Sequence, residues 1–378
     1  MHKHLTIGIL GGGQLARMSA LAASRLGIAT AILEREKCSP AGQLTHLEYV
    51  GWVDDESLVR QFVRSCDVVT LENEFIDYRR LEFIESLGKR VLPSSGVIAL
   101  IQDKFIQKET LAQHGIPVPL FRKVTHDTTL KQLSSQLGST VVMKSRKMGY
   151  DGYGNALVRS ARSFAEATAK LSTRHTQLMA EEFINFRMEL AVMVVRTKKE
   201  TRAYPVVQTI QKNHICSTVI APAPIDRKMA ARAAQIAIAA VEAVGGYGLF
   251  GVELFITDRD EILVNEMAPR PHNSGHYTIE GCVTSQFENH VRAVLGLPLG
   301  PTTMTAPYAV MVNLLGSKKP RAGTANLTLA LQNERAHFHL YGKAASRPGR
   351  KMGHVTFLGR SLPELLAEAE RLQKGIRL

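Results

Sequence analysis

The stretch Gly251-Val-Glu-Leu-Phe-Ile-Thr-Asp-Arg-Asp-Glu-Ile-Leu-Val-Asn-Glu-Met-Ala-Pro-Arg270 constrains the fold more than any other part of the chain. Two apolar runs flank the polar turn Asp258-Arg259-Asp260-Glu261, the pattern of two strands joined by a tight connection. A hairpin centred on Arg259-Asp260 sets Glu253 opposite Glu266. Opposed side chains in such a pair stand roughly 4.5–5.5 Å apart at Cβ, and like charges there repel. A hard divalent cation such as Mg²⁺ takes carboxylate oxygens and also bridges substrate phosphates. The hairpin therefore reads as a metal–nucleotide site. The plainer alternative is two glutamates on a solvated face.

The chain has 378 residues, enough for two or three domains with a proper core. Hydrophobic content of 45% and charged content of 21% fit a globular protein rather than a disordered one. No apolar run reaches the roughly 18 residues of a membrane span. The nearest, around Ala230–Val244, is interrupted by Arg232, Gln235 and Glu242 and reads as a buried helix. Met1-His-Lys-His leads into a strand pattern with no signal-peptide layout. Cys38, Cys66, Cys216 and Cys282 are far apart, which argues against a zinc site or disulfide framework and leads us to expect a reducing, cytoplasmic location. The net charge of +13 calls for anionic partners. Nucleic acid is one, but the cations are scattered and form no basic tract interleaved with aromatics. Small phosphorylated substrates explain a diffuse positive field equally well.

The first hundred residues alternate strand and helix, as in a parallel α/β unit. Leu5–Leu10, Ile28–Leu33, Asp67–Leu71 and Arg90–Leu92 are the expected strands, and a helix with Leu15, Met18, Ala22 and Leu26 on one face ends at Gly27. Beyond them we expect a helix over Gln102–Gln113 and strands over Thr140–Lys144, Gln177–Ile184, Glu189–Arg196 and Ala203–Val207. Ser285 and Glu288 are spaced as a capping box for a helix that buries Phe287, Val291 and Val294 and stops at Gly296. Residues 298–307 read as a linker, and the remainder as a small β-rich unit with a terminal helix.

Three further segments carry chemistry. Gly11-Gly-Gly-Gln-Leu-Ala16 fits G-x-G-x-x-A between a strand and a helix, with Glu34 ending the next strand. That is the layout of a dinucleotide site and makes a nicotinamide-dependent oxidoreductase a serious rival, although a glycine turn at a helix N-terminus accepts any phosphate. An oxidoreductase has no use for the Glu253/Glu266 hairpin. Lys144 ends a buried strand before the loop Gly149-Tyr-Asp-Gly-Tyr-Gly154, where a cation and free backbone N–H groups suit phosphate. An exposed turn is the alternative. Glu181-Glu182-Phe183-Ile184 closes a later strand and offers backbone groups to a purine edge, and Glu189 could accept from ribose hydroxyls.

Together these features resemble the ATP-grasp superfamily. The run Ala268-Pro-Arg-Pro-His-Asn-Ser-Gly-His-Tyr-Thr-Ile-Glu-Gly-Cys-Val-Thr-Ser-Gln-Phe-Glu288 narrows the resemblance to the 5-(carboxyamino)imidazole ribonucleotide synthase family, together with Gly149–Gly154, Gly11–Met18 and Arg347-Pro-Gly-Arg-Lys-Met-Gly-His354. The resemblance spans essentially the whole chain. It implies a mixed α/β and α+β architecture: an N-terminal parallel α/β domain over residues 1–101, an ATP-grasp domain over 102–298 and a small β-rich domain over 299–378. It implies a homodimeric ligase that joins bicarbonate to 5-aminoimidazole ribonucleotide with ATP and Mg²⁺. A formate-using glycinamide ribonucleotide transformylase is the neighbouring alternative within the superfamily.

Carried over residue by residue, the resemblance implies that Lys104 and Lys144 bind ATP phosphates beneath the loop Gly149, Tyr150, Asp151, Gly152, Tyr153, Gly154 and Asn155. Glu181, Glu182, Phe183 and Ile184 would hold adenine, and Glu189 the ribose, with Gln211 and His214 nearby. Glu253 and Glu266 would bind the metal beside Asn265. Arg270, His272, Asn273 and Ser274 would line the bicarbonate and imidazole pocket, with Asp151 near the amine. Lys343, Arg350 and Lys351 would clamp the ribonucleotide phosphate, helped by Gln14, Leu15 and Glu72. Three positions depart from the family pattern. Gln211 stands where many members carry His, Tyr153 where Arg or Lys is frequent, and Ala268 where other ATP-grasp enzymes place a third metal-binding Asn.

Overall fold

The computed structural model describes residues 5–147, 154–173, 175–316 and 328–376. Strands β1 (Thr6–Leu10), β2 (Ala29–Glu34), β3 (Leu47–Val50) and β4 (Val68–Leu71) form a parallel sheet in the order β3-β2-β1-β4. Their near-continuous apolar character follows from burial on both faces. The expected strand at Arg90–Leu92 is only a single parallel bridge, Val69 to Val91. Pro93 has no N–H to continue the ladder. The expected helix at Gln102 splits in two: one helix ends at Gln102, and Asp103 caps the next, Lys104–Gln113, by accepting from the N–H groups of Phe105 and Ile106.

A second sheet, antiparallel, contains β5 (Phe121–Val124), β6 (Val141–Ser145), β7 (Asn155–Val158) and β8 (Leu178–Glu182) in the order β5-β8-β6-β7. The third is nine-stranded: β9 (Phe186–Arg196), β10 (Thr201–Ala203), β11 (Val207–Lys212), β12 (Ile215–Ala221), β13 (Gly248–Thr257), β14 (Ile262–Ala268), β15 (Tyr308–Leu315), β16 (Ala336–Leu340) and β17 (Lys351–Gly359). The strand expected at Ala203–Val207 divides into β10 and β11 around Pro205. Because β12 pairs with β15, the C-terminal strands extend the central sheet and form no separate sheet among the described residues.

Period-two alternation decides what each face of the central sheet carries. Leu190, Val192, Val194, Val252, Leu254 and Val264 point to one side, where helix Arg227–Ala243 supplies Ala233, Ala237, Ala240 and Val241 to the largest core cluster. Glu189, Glu253 and Glu266 point to the other, into a cleft. Helix Gln286–Leu295 begins at Ser285, whose side chain accepts from Glu288 N–H, and ends at Gly296 in the left-handed region. Only half of the expected capping box forms, since the Glu288 carboxylate pairs with Arg292 instead. This helix packs Val291 and Val294 against the N-terminal sheet, which fixes that unit over the cleft.

Candidate active site

The cleft has a volume of about 1530 Å³ and is lined from all three sheets. The Glu253/Glu266 hairpin reaches its register by a route the sequence did not reveal. Thr257 and Glu261 close the turn and Asp260 sits at φ +60°, so the loop has three residues, the third in the left-handed region. From the turn outward, Ile256 faces Ile262 and Leu254 faces Val264; a bulge at Asn265 then restores the expected pairing of Glu253 with Glu266. Bulges re-aim side chains beside functional sites. Asn265 lines the cleft as a result.

The two acids divide their charge. Burial and the neighbouring Glu266 push the Glu253 carboxyl well above the usual carboxylate range. Burial also opposes ionisation of Glu266, but Lys104, which ion-pairs with it, and Lys144 outweigh that and hold it low. The donor set fits a hard cation: two facing carboxylates whose repulsion a bound positive charge would relieve. Ala268 lines the cleft and offers no side-chain ligand, and among the described residues no group of three His, Cys, Asp or Glu side chains is placed to hold a metal.

Lys144 lies in the cleft wall on β6, its Nζ 2.8 Å from Glu181 Oε2. Glu181 is 3% exposed and also faces Lys108, 3.4 Å away and 2% exposed. Its carboxyl remains ionised against burial because both lysines lower it, and burial brings Lys108 down to about 8. The Glu181 side chain thus balances lysines, while Phe183 and Ile184 line the cleft beside it. Glu182 accepts from Leu120 N–H at 2.7 Å. Glu189 is raised by burial, with Gln211 hydrogen-bonded to it and His214 nearby, both lowering it. His214 follows Asn213 in a two-residue turn with both φ positive. Phe186 and Phe255 stack 4.6 Å apart in the same wall, an apolar surface that no local pattern singles out.

Beyond the metal hairpin, Arg270 forms a two-point ion pair with Glu74 from the N-terminal unit. His272 is half-buried, and desolvation, Arg270 and Lys351 lower its pKa to about 3, so its ring is neutral. Its Nδ1 accepts from the Ser274 N–H and lies 2.7 Å from Ser274 Oγ. The proton therefore sits on Nε2, 3.4 Å from Glu253 Oε1. Ser274 is buried and does not line the cleft; it orients His272. Asn273 exchanges two amide hydrogen bonds with Asn313, at 2.9 and 2.6 Å.

At the far end of the cleft, Lys343, Arg347, Arg350 and Lys351 gather. Burial and the surrounding cations lower Lys343 to about 8 despite Glu72. The glycine turn opposite is already occupied. Glu72 accepts from the N–H groups of Gly13 and Leu15, and Glu34 from Gly12 at 2.8 Å. A Cβ on Gly13 would lie 2.2 Å from Glu72 Oε1, so glycine here admits the protein's own carboxylate. These amides are taken by the protein's own carboxylates rather than left for a dinucleotide phosphate, and Glu34 does not line the cleft. Gln14, Leu15 and Glu72 still line the cleft; Gly154 does not, and Gly149 to Tyr153, including Asp151, lie outside the described residues. Glu74, Lys108 and Arg347 are among the charged groups of this region that no local pattern singled out.

Residues 109–287 match the ATP-grasp domain family, residues 4–102 the ribonucleotide synthetase preATP-grasp domain, and residues 309–368 the phosphoribosylaminoimidazole carboxylase C-terminal domain. The fold and the cleft thus define an ATP-grasp enzyme with a ribonucleotide synthetase N-terminal unit. The chain is 42% identical to the N5-carboxyaminoimidazole ribonucleotide synthase of Synechococcus elongatus over 93% of its own length and 88% of that protein. It is 42% identical to the phosphoribosylaminoimidazole carboxylase of Ogataea methanolica over 95% of this chain and 67% of the relative. A crystal structure of the Aspergillus clavatus N5-carboxyaminoimidazole synthase with ADP and 5-aminoimidazole ribonucleotide superposes with a TM-score of 0.91, at 38% identity and 99% coverage of both chains. The chain belongs to the N5-carboxyaminoimidazole ribonucleotide synthase family, ATP-dependent ligases of purine biosynthesis. No helix among the described residues is long and apolar enough to cross a membrane, and the four cysteines are free.

Proposed function

We propose that this cleft joins bicarbonate to the exocyclic amine of 5-aminoimidazole ribonucleotide at the expense of ATP. The observation that carries the reading is one cleft that holds two cationic groups, Lys104/Lys144 and Lys343/Arg350/Lys351, together with the Glu253/Glu266 pair. One centre suits a triphosphate and the other a monophosphate. Bicarbonate is a poor electrophile. Its oxygen attacks the γ-phosphorus, ADP leaves, and carboxyphosphate forms. The amine nitrogen attacks the carboxyl carbon of that anhydride, or the carbon dioxide it releases; phosphate departs and the nitrogen loses a proton. Catalysis is then positioning and charge stabilisation in a site that excludes water.

Lys104 and Lys144 bind and orient the triphosphate. Glu253 and Glu266 would hold Mg²⁺, which would supply positive charge to neutralise the triphosphate. The neutral His272 presents Nε2–H, a hydrogen-bond donor, at the metal pair. Arg270, fixed by Glu74, places a guanidinium where bicarbonate would lie. The adenine is assigned to the backbone of Glu181–Ile184 against the Phe186/Phe255 wall, and the ribose to Glu189. The ribonucleotide phosphate is assigned to Lys343, Arg350 and Lys351, and Asp151 is assigned to the amine. Glu72, already bonded to the helix N-terminus, would face sugar hydroxyls rather than phosphate. A homodimer and a cytoplasmic location follow from the family resemblance, and the mass in solution tests the former. The decisive assay is ADP release dependent on both bicarbonate and the ribonucleotide. Release without stimulation by that ribonucleotide overturns the reading. Stimulation by formate and glycinamide ribonucleotide instead would move it to the neighbouring ligase.

A further inference from the structure

Gln286 is fully buried at the first position of helix Gln286–Leu295 and does not line the cleft. Its side chain nevertheless grips the residue at the centre of the proposed chemistry. His272 N–H donates to Gln286 Oε1 at 3.0 Å, and Gln286 Nε2 donates to the His272 carbonyl at 2.8 Å. The same Nε2 lies 3.1 Å from His276 Nδ1. One amide therefore accepts from and donates to a single residue, as a neighbouring strand would. A carboxamide sets a donor and an acceptor side by side on one planar group, and Asn, the other carboxamide, is a methylene shorter.

The loop is moulded to that side chain. A Cβ on Gly275 would lie 2.4 Å from Gln286 Oε1 and 2.6 Å from its Cδ. Thr278 Oγ1 accepts from Gln286 N–H at 2.9 Å and donates to the Gly275 carbonyl at 2.6 Å, closing the loop onto the helix start. The His272 main chain is thus fixed by Gln286 and its ring by Ser274, which together aim Nε2 at Glu253.

We propose that Gln286 is a positioning residue for His272, acting through the main chain of the loop. The inference rests on the proposed carboxylation reading. Without the amide, the His272 N–H and carbonyl lose buried partners and the loop shifts. Misplacement by about 1 Å can lower a rate on the order of 100-fold. A displaced His272 also lets water reach the activated bicarbonate, so ADP is made without product.

The test is Gln286→Met, similar in length but unable to make either bond. ADP release and carboxylated product are measured per Mg-ADP-binding site, beside wild type. We expect turnover per site to fall by about 10- to 100-fold, ADP formed per product to rise above one, and Mg-ADP affinity to stay within about twofold. Gly275→Ala, which displaces the amide without removing it, should show the same uncoupling. Wild-type turnover per site with ADP and product in equal amounts, in either variant, overturns the inference, including when fewer sites survive folding. If wild type itself shows no ribonucleotide-dependent ADP release, the carboxylation reading fails first, and the variants do not bear the blame.

Discussion

The two ends of the cleft treat charge in opposite ways. At the nucleotide end, acids and lysines interleave: Glu266 with Lys104, and Glu181 between Lys108 and Lys144. At the ribonucleotide end, four cations crowd one another, and Lys343 is lowered to about 8 in spite of Glu72. The first end is balanced before any ligand arrives, so its lysines are held in place. The second stores repulsion that a phosphate dianion would relieve. This is the difference between holding a catalytic geometry and recruiting a substrate.

The largest expected effect lies at the balanced end. Glu266→Ala should lower ADP release by at least about 100-fold with an unchanged circular dichroism spectrum, since it removes one of the two carboxylates proposed to hold the metal. Wild-type turnover would break the hairpin assignment. Glu181→Gln strips the counter-charge from two buried lysines and should cost about 3–5 kcal/mol of stability in urea unfolding. Pairing it with Lys108→Met should recover part of that loss. An unshifted unfolding midpoint in the single variant would mean that Glu181 does not balance this end.

Smaller effects separate the other end. Lys343→Ala should raise the KM for the ribonucleotide about 10- to 100-fold while Mg-ADP affinity holds, the size of one charge-assisted phosphate contact. Equal losses for both ligands would erase the distinction between the two ends. A pH series reads the same residue more finely. The proposed phosphate contact needs Lys343 protonated, so ribonucleotide affinity should fall as pH rises through about 8. The linked effect on stability has the opposite sign. Between pH 8 and the ordinary lysine value of 10.5, the folded protein has shed a proton that the unfolded chain keeps. The contribution of Lys343 to stability therefore rises across that window. Lys343→Met should flatten the rise in thermal midpoint, and a slope identical to wild type would count against a repelled lysine.

What could be read from the chain alone was local. Period-two alternation and the polar turn set Glu253 against Glu266, although the turn proved one residue longer and the Asn265 bulge compensated. The Ser285 cap, the Gly296 stop and the buried face of that helix follow from helical spacing. The family likeness pointed to Lys343, Arg350 and Lys351, which gather in the cleft. Partners that no local rule reaches were illegible: Glu74 for Arg270, Lys108 for Glu181 and Gln286 for His272.

The glycine turn shows where the boundary falls. Its residues specify a helix N-terminus with exposed amides and close backbone approach, features that suit any anion. Which anion sits there is decided by the order β3-β2-β1-β4, which lays β4 beside β1 and brings Glu72 to Gly13 and Leu15. Backbone periodicity and turn chemistry are properties of neighbours in sequence, so the chain states them directly. The pairing of distant charges depends on how sheets and helices stack, and that is settled only when the whole core closes.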